Sequence, residues 1–468
     1  MPEGSAGQPS AAGRIVTFYS FKGGTGRTMA LANVAWILAA NGKRVLAADW
    51  DLESPGLHRF FQPFMNPGVS GKPGIVDFIR QYEWRAKDQA TRIEATDLSR
   101  EDKVRTVREA VAGLTSDLVA HVGRYTVPVD WQFPGNGAID FLTPGRQGDG
   151  VYANALSALD WDTLYDDLGG AGFFDALRTE LKNSYDYVLI DSRTGLSDIA
   201  DICTLHLPDM VVDCFTLSTQ GMEGAARIAG QIRRYSERDI TILPVLMRID
   251  HTQRANVLAG LRLAQSLFPG LPADMSQQER DEYWAEVQVP YLPPYAYEET
   301  LAAFGDRPGD RDSLLPAYER IVARITDNDV TALPPREEWK RLRTRLLFAR
   351  TVPRDQPEIV IQYSPRTSCG PSGSPRCWPG PESTPGWRMR SPHAWPTPGR
   401  RSGSSPWRRS STSPTLSCGT VSCATWLLGR GLSSSSVLRT CAFPHQAFPT
   451  RCPSSSWPTT QKPRRRSC

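Results

Sequence analysis

The feature that most constrains this chain is a glycine-rich turn at 22–28, set between two apolar runs of different period. Before it, RIVTFYS (14–20) is β-branched and aromatic, which predicts a buried strand. After it, RTMALANVAWILAANG (27–42) carries apolar residues at helical spacing and ends at Gly42, a helix stop. Gly23, Gly24 and Gly26 let the backbone take conformations that a Cβ would forbid, so several N–H groups can face one anion. The start of the helix adds its positive dipole end. Strand, glycine loop and helix together predict a phosphate cradle, formed by the backbone of Gly23, Gly24, Thr25, Gly26, Arg27 and Thr28, with the Thr28 hydroxyl placed for Mg²⁺. The plain alternative is a strand-to-helix turn without a ligand.

The rest of the first 330 residues alternates strand-like and helix-like segments. Strands are expected at 43–49, 138–145, 185–191, 210–217 and 240–246, and helices at 173–184, 197–206 and 220–237. That alternation predicts an α/β, three-layer fold with a mostly parallel sheet covered by helices on both faces. Residues 80–125 are charged and helix-like and read as a surface insertion. Helices are also expected at 315–326 and 336–350, then a linker to 357 and a short strand at 358–363.

Two further segments carry carboxylates at strand ends. AADWDLESPGL (47–57) holds Asp49 and Asp51, and YDYVLIDSRTG (185–195) holds Asp191 and Gly195. Each aspartate alone is compatible with a turn or helix cap, and Glu53 reads as a solvated charge. With the glycine loop, however, they resemble the CobQ/CobB/MinD/ParA class of P-loop ATPases over residues 14–330. The pattern K-G-G-x-G-[KR]-T resembles that family's deviant Walker A loop. The resemblance implies ATP and Mg²⁺ as cofactors and a nucleotide-dependent homodimer. It implies that Lys22 reaches the partner's phosphates and that Asp51 orients the attacking water. Asp49 and Asp191 would serve the metal, and Gly195 would sense the terminal phosphate. Arg27 stands where a lysine is usual in phosphate loops, keeping the charge but not the compact shape. Arg248, in PVLMRID (244–250), stands near where the family reads adenine with an asparagine. It can stack on a base or pair with Asp250. The segment at 291–306 is either a lid over the base or a packed loop and helix. A non-hydrolysing nucleotide-binding scaffold, a ParA-type DNA-binding ATPase and a tyrosine kinase of the same class are the rival functions.

Composition matters at the C-terminus. Residues 364–468 hold 15 basic residues and one acid, a charge of +14, whereas residues 1–363 hold 39 basic and 49 acidic residues, a charge of −10. The acidic body argues against nucleic-acid binding. The tail also holds seven of the nine cysteines and six of the thirteen tryptophans. Arg, Pro, Ser, Gly, Cys and Trp without Asp is what GC-rich coding DNA yields out of frame, so the tail reads as disordered and out of frame, with a genuine disordered basic tail as the alternative. Re-reading 366–388 in the shifted frame gives an amphipathic helix and a strand-like end. With 358–363, that resembles the opening of a Toll/interleukin-1 receptor-like domain, as in large bacterial ATPase–TIR-like–tetratricopeptide-repeat proteins of the FxSxx-COOH type.

Residues 1–13 read as a disordered arm without a targeting signal. No run of 18 apolar residues exists, so no membrane span is expected. The body's two cysteines, Cys203 and Cys214, fit a reducing cytoplasm. In 336–350, Trp339, Leu342, Leu346 and Leu347 share one face of a basic helix. Docking on the ATPase domain is the expected use of that face, with membrane contact the alternative.

Overall fold

A computed structural model describes residues 12–147, 150–195, 197–307, 309–310 and 313–348, with two short strands beyond them. The chain divides into two units, Met1–Glu358 and Ile359–Cys468. In the second unit, Ile361–Gln362 pairs antiparallel with Arg388–Met389. Residues 1–11 of the expected arm, the last two residues of the expected helix at 336–350, the expected linker at 351–357 and the rest of the tail lie outside the described residues. Gly13, placed in the arm by the sequence, is instead tied to the body, its N–H donating to the Lys182 carbonyl at 2.9 Å.

The first unit is built on one eight-stranded sheet. Its strands are β1 (Arg14–Tyr19), β2 (Arg44–Trp50), β3 (Thr126–Pro128), β4 (Ala138–Leu142), β5 (Tyr187–Ser192), β6 (Met210–Phe215), β7 (Thr241–Ile249) and β8 (Gln288–Pro290). They lie in the order β3-β4-β2-β5-β1-β6-β7-β8. Every neighbouring pair is parallel except β3 with β4 at one edge. Parallel neighbours require crossovers, and the helices that make them cover both faces. Side chains therefore alternate between two apolar layers. Val45 and Ala47 pack in one layer, whereas Leu46, Ala48, Val188 and Ile190 pack in the other.

Helix α1 (Arg27–Ala40) lies in the first layer and is buried almost all round. Its Trp36 is fully enclosed, with ring centroids 4.9–5.4 Å from Phe64, Trp131, Phe133 and Phe304. Its Asn33 takes the Ala302 N–H at 2.7 Å, which fastens the segment at 301–306 to the helix.

The segment at 80–125, read as a surface insertion, is mostly exposed or half-buried and is anchored to the second layer through its first helix. The helix Ile75–Glu94 starts earlier and buries Ile75, Phe78, Ile79 and Tyr82 against the sheet, where Tyr82 stacks on Phe173. Only the following helix, Arg100–Val119, is mainly exposed. The expected helix at 197–206 is a short helix, Asp198–Asp201, followed by a π-helical turn, Ile202–His206.

The helix Glu338–Arg345 docks, but not by the expected face. Trp339, Leu342, Leu346 and Leu347 are 58, 44, 72 and 57% exposed. Arg341 and Thr344 are the helix's buried residues, and Arg341 donates to the Phe304 carbonyl and to both Glu338 carboxylate oxygens. Its fork is satisfied on three acceptors, so burying it costs little. Phe348 completes the contact against Phe64 and Phe304. Among the described residues no helix is long and apolar enough to cross a membrane.

Candidate functional site

β1 ends at the glycine loop, at the point where the sheet's connections turn in opposite directions. Ligands of open parallel sheets bind at such points, beyond the C-terminal ends of the strands. The loop residues Gly24 and Gly26 have φ of 74° and 95°, in the left-handed region that disfavours a side chain. A Cβ at Gly23 or Gly24 would meet nothing within 4 Å, so the loop faces open space. Gly26 is the N-cap of α1 and makes no side-chain cap, and the first-turn N–H groups of a helix have no acceptor within the helix itself.

The space in front is a cavity of about 490 Å³, walled by the loop and by Asp51, Glu53, Arg193, Thr194 and Arg248. A second space of about 80 Å³ shares Thr25, Gly26, Met29 and Arg248 with it and is otherwise walled by apolar and aromatic side chains, Tyr291 and Tyr295 among them. A polar chamber at a helix start thus stands beside a small apolar one, with four residues in common.

The predicted carboxylates converge beneath the loop. In register, Asp49 of β2 stands opposite Asp191 of β5. Arg27, only 5% exposed, reaches both carboxylate-bearing segments, 47–57 and 185–195. Its Nε donates to Asp191 at 2.6 Å and its Nη2 to Asp51 at 2.9 Å. The sequence placed Arg27 as a phosphate ligand. It borders the cavity, but these two donors are committed to carboxylates, and Nη1 is buried without a partner. Burial works against the guanidinium charge, and Asp191 and Asp51 more than offset it. Asp191 is pushed upward by burial, opposed chiefly by Arg27. Asp49 is fully buried and held well above the usual carboxylate range, first by burial and then by Asp191. One Asp49 oxygen takes the Leu57 N–H at 3.1 Å, so this side chain also braces the loop after β2.

The remaining predicted residues are placed less centrally. Lys22 is half-buried, makes no hydrogen bond or ion pair among the described residues, and does not wall the cavity. Thr28 lies in the cavity wall. Gly195 has φ of 77°, and its carbonyl takes the Tyr19 hydroxyl at 3.0 Å, which joins the loop after β5 to the end of β1. Arg248 does not pair with Asp250, whose Oδ1 is taken by Thr252. It has φ of 58°, donates to the Gly24 carbonyl at 2.6 Å and lies 4.6 Å over the Tyr291 ring. The segment at 291–306 is divided between both expectations. Tyr291 and Tyr295 wall the small chamber, whereas Leu301, Ala302 and Phe304 pack on α1.

Sequence reasoning passed over Arg193. Its Nη2 meets Glu53 Oε2 at 2.7 Å across the cavity mouth. The available signal was its position, two residues after Asp191 and two before Gly195.

Whether Mg²⁺ suits the site can be judged from the donors. Asp191 lies outside the cavity wall, its Oδ2 buried without a partner of full hydrogen-bond geometry among the described residues, while Thr28, which acts on the Asp191 carboxyl, does line the cavity. No group of three or more His, Cys, Asp or Glu side chains among the described residues forms a metal cage. A cation that takes one or two protein ligands and completes its shell from phosphates and water fits that donor set.

The pattern that defines the CobQ/CobB/MinD/ParA nucleotide binding domain matches residues 16–261. No curated protein matches the chain. Among solved structures, the chain is similar to the MinD cell division protein of Aquifex aeolicus at 17% identity, covering 68% of this chain and 99% of that one, with a TM-score of 0.36. It is similar to a ParA family ATPase from Chlorobium tepidum at 14% identity, covering 72% and 99%, with a TM-score of 0.38. The septum site-determining protein MinD of Pyrococcus horikoshii, complexed with Mg-ADP, is 15% identical, covering 67% and 95%, with a TM-score of 0.36.

Proposed function

Because the chain belongs to the CobQ/CobB/MinD/ParA nucleotide-binding domain family, we propose that it binds ATP with Mg²⁺ and works as a dimerising switch. The observation that carries the reading is the pair of adjoining chambers at the start of α1. The phosphates occupy the chamber walled by the loop, and the base occupies the apolar one beside Arg248 and Tyr291. Uncapped N–H groups and the helix dipole bind the phosphates. Asp191 and Thr28 hold Mg²⁺, which neutralises phosphate charge when bound, and Asp49 supports them from the next strand. Asp51 orients the water, and Lys22, unpaired among the described residues of its own chain, reaches the phosphates of a second copy. The switch regulates an attached or partner module.

A second reading has its own observation. Arg27 is committed to Asp51 and Asp191, and Asp51 is the residue assigned to the water. In that arrangement the chain binds nucleotide without turning it over and serves as a scaffold. Phosphate release and nucleotide binding, measured side by side, separate the two. For the switch, wild type releases phosphate, and Lys22→Ala and Asp51→Ala each lower the rate about tenfold or more with binding retained. Binding without release in wild type supports the scaffold. Turnover untouched by both substitutions overturns the site assignment.

A further inference from the structure

The cations around the phosphate chamber are not equally free. Arg27 is buried and held by two carboxylates, and Arg248 is held by the Gly24 carbonyl and the Tyr291 ring. Lys22 does not wall the chamber. Arg193 does, and its partner is the open carboxylate of Glu53, with side chains 30 and 52% exposed. An ion pair so open to water is weak, whereas a guanidinium on a phosphate makes charge-assisted, bidentate bonds.

The order of the sheet fixes which phosphate Arg193 would meet. The apolar chamber is walled by Met247, Val289 and Tyr291, at the β7 and β8 side of the loop. Arg193 follows β5 and Glu53 follows β2, on the opposite side of β1. A nucleotide with its base in the apolar chamber therefore points its terminal phosphate toward Arg193 and Glu53. Both side chains wall that end of the chamber.

We propose that Arg193 is the residue that distinguishes a triphosphate from a diphosphate in this site, and that Glu53 is the carboxylate it leaves to do so. The inference rests on the nucleotide-binding reading above. Without a terminal phosphate, Arg193 clasps Glu53 and joins the loops after β2 and β5. A terminal phosphate takes the guanidinium and repels Glu53, so the clasp opens as the phosphate binds. Glu53 thus acts against ATP and not against ADP, and its charge sets how strongly the two are distinguished.

The two halves of the pair should respond in opposite directions, which a merely structural salt bridge would not do. The test measures binding of ATPγS and of ADP, each with Mg²⁺, to the full chain by titration calorimetry. Arg193→Ala should weaken ATPγS about tenfold to a hundredfold and ADP less than about threefold. Glu53→Gln should tighten ATPγS about threefold or more and leave ADP unchanged. An Arg193→Ala chain with the wild-type ratio of the two affinities overturns the proposal, as does a Glu53→Gln chain that shifts in the same direction as Arg193→Ala. Wild type that binds neither nucleotide removes the nucleotide reading itself. Wild type that binds both, with unchanged ratios in the variants, overturns this proposal alone.

Discussion

Replacing Arg27 by methionine tests the charge arrangement beneath the loop. The side chain is 5% exposed and is the hydrogen-bond partner of Asp191, itself 1% exposed, and of Asp51. Methionine keeps most of the volume, so the loss is mainly electrostatic. Removing one partner of a buried ion pair leaves an uncompensated carboxylate and costs about 3–5 kcal/mol. With about 330 ordered residues and an unfolding entropy of about 2.1 cal/mol/K for each, that is a fall in Tm of roughly 4–7 °C. The sign of the pH dependence follows from Asp191. Burial already raises its pKa in the wild type, with Arg27 opposing. Without Arg27 the folded-state pKa rises further. Below it the carboxyl is protonated and neutral, so the deficit of the variant shrinks as pH falls and is largest at alkaline pH. Thermal unfolding of both chains, followed by circular dichroism at pH 5 and pH 8, measures this. A deficit of equal size at both pH values would assign the loss to packing and refute the charge argument. No deficit at either pH would mean that the triad contributes nothing to folding.

Asp213 gives a second pH test, since burial pushes its carboxyl up to about 8 and neither oxygen has a hydrogen-bond partner among the described residues. Its folded pKa lies above the unfolded value of about 3.9, so its contribution is full below about pH 4 and is lost as pH rises toward 8, by at most about 1.4 kcal/mol per pH unit. Asp213→Asn should therefore flatten the Tm–pH profile over that window and raise Tm more at pH 8 than at pH 5. Trp36→Ala empties the centre of the aromatic cluster on α1 and should cost about 3–5 kcal/mol, read as a lower denaturation midpoint with the same denaturant slope. Tyr291→Ala removes a wall of the apolar chamber. ATP affinity should fall about threefold to tenfold while tripolyphosphate affinity stays constant, measured by competition against a fluorescent nucleotide.

What could be read from the sequence was whatever depends on neighbours along the chain. The strand, glycine loop and helix at 14–42 were legible because positive φ, capping and apolar period are local properties. The parallel sheet followed from the alternation of strand and helix, and the match to the family over 16–261 agrees with it. Edge strands such as β3 and β8 were missed because three residues carry no periodic signal. The helix at Ile75–Glu94 looked like surface because charged residues on its outer face mask a buried stripe.

Local residue patterns sufficed for the glycine loop between strand and helix and for Asp49, Asp51 and Asp191 at strand ends. Which charges meet depended on the assembled sheet. Arg27 meets a carboxylate 164 positions away, Arg248 meets the loop across 224, and Arg193 crosses the cavity mouth to Glu53. The tertiary structure also decided that the helix at Glu338–Arg345 docks by Arg341 and leaves its apolar stripe in the open. The physical reason is that local conformation is set by each residue and its near neighbours. Pairing of charges and choice of face depend on strand order, and strand order brings together residues whose separation along the chain gives no sign of contact.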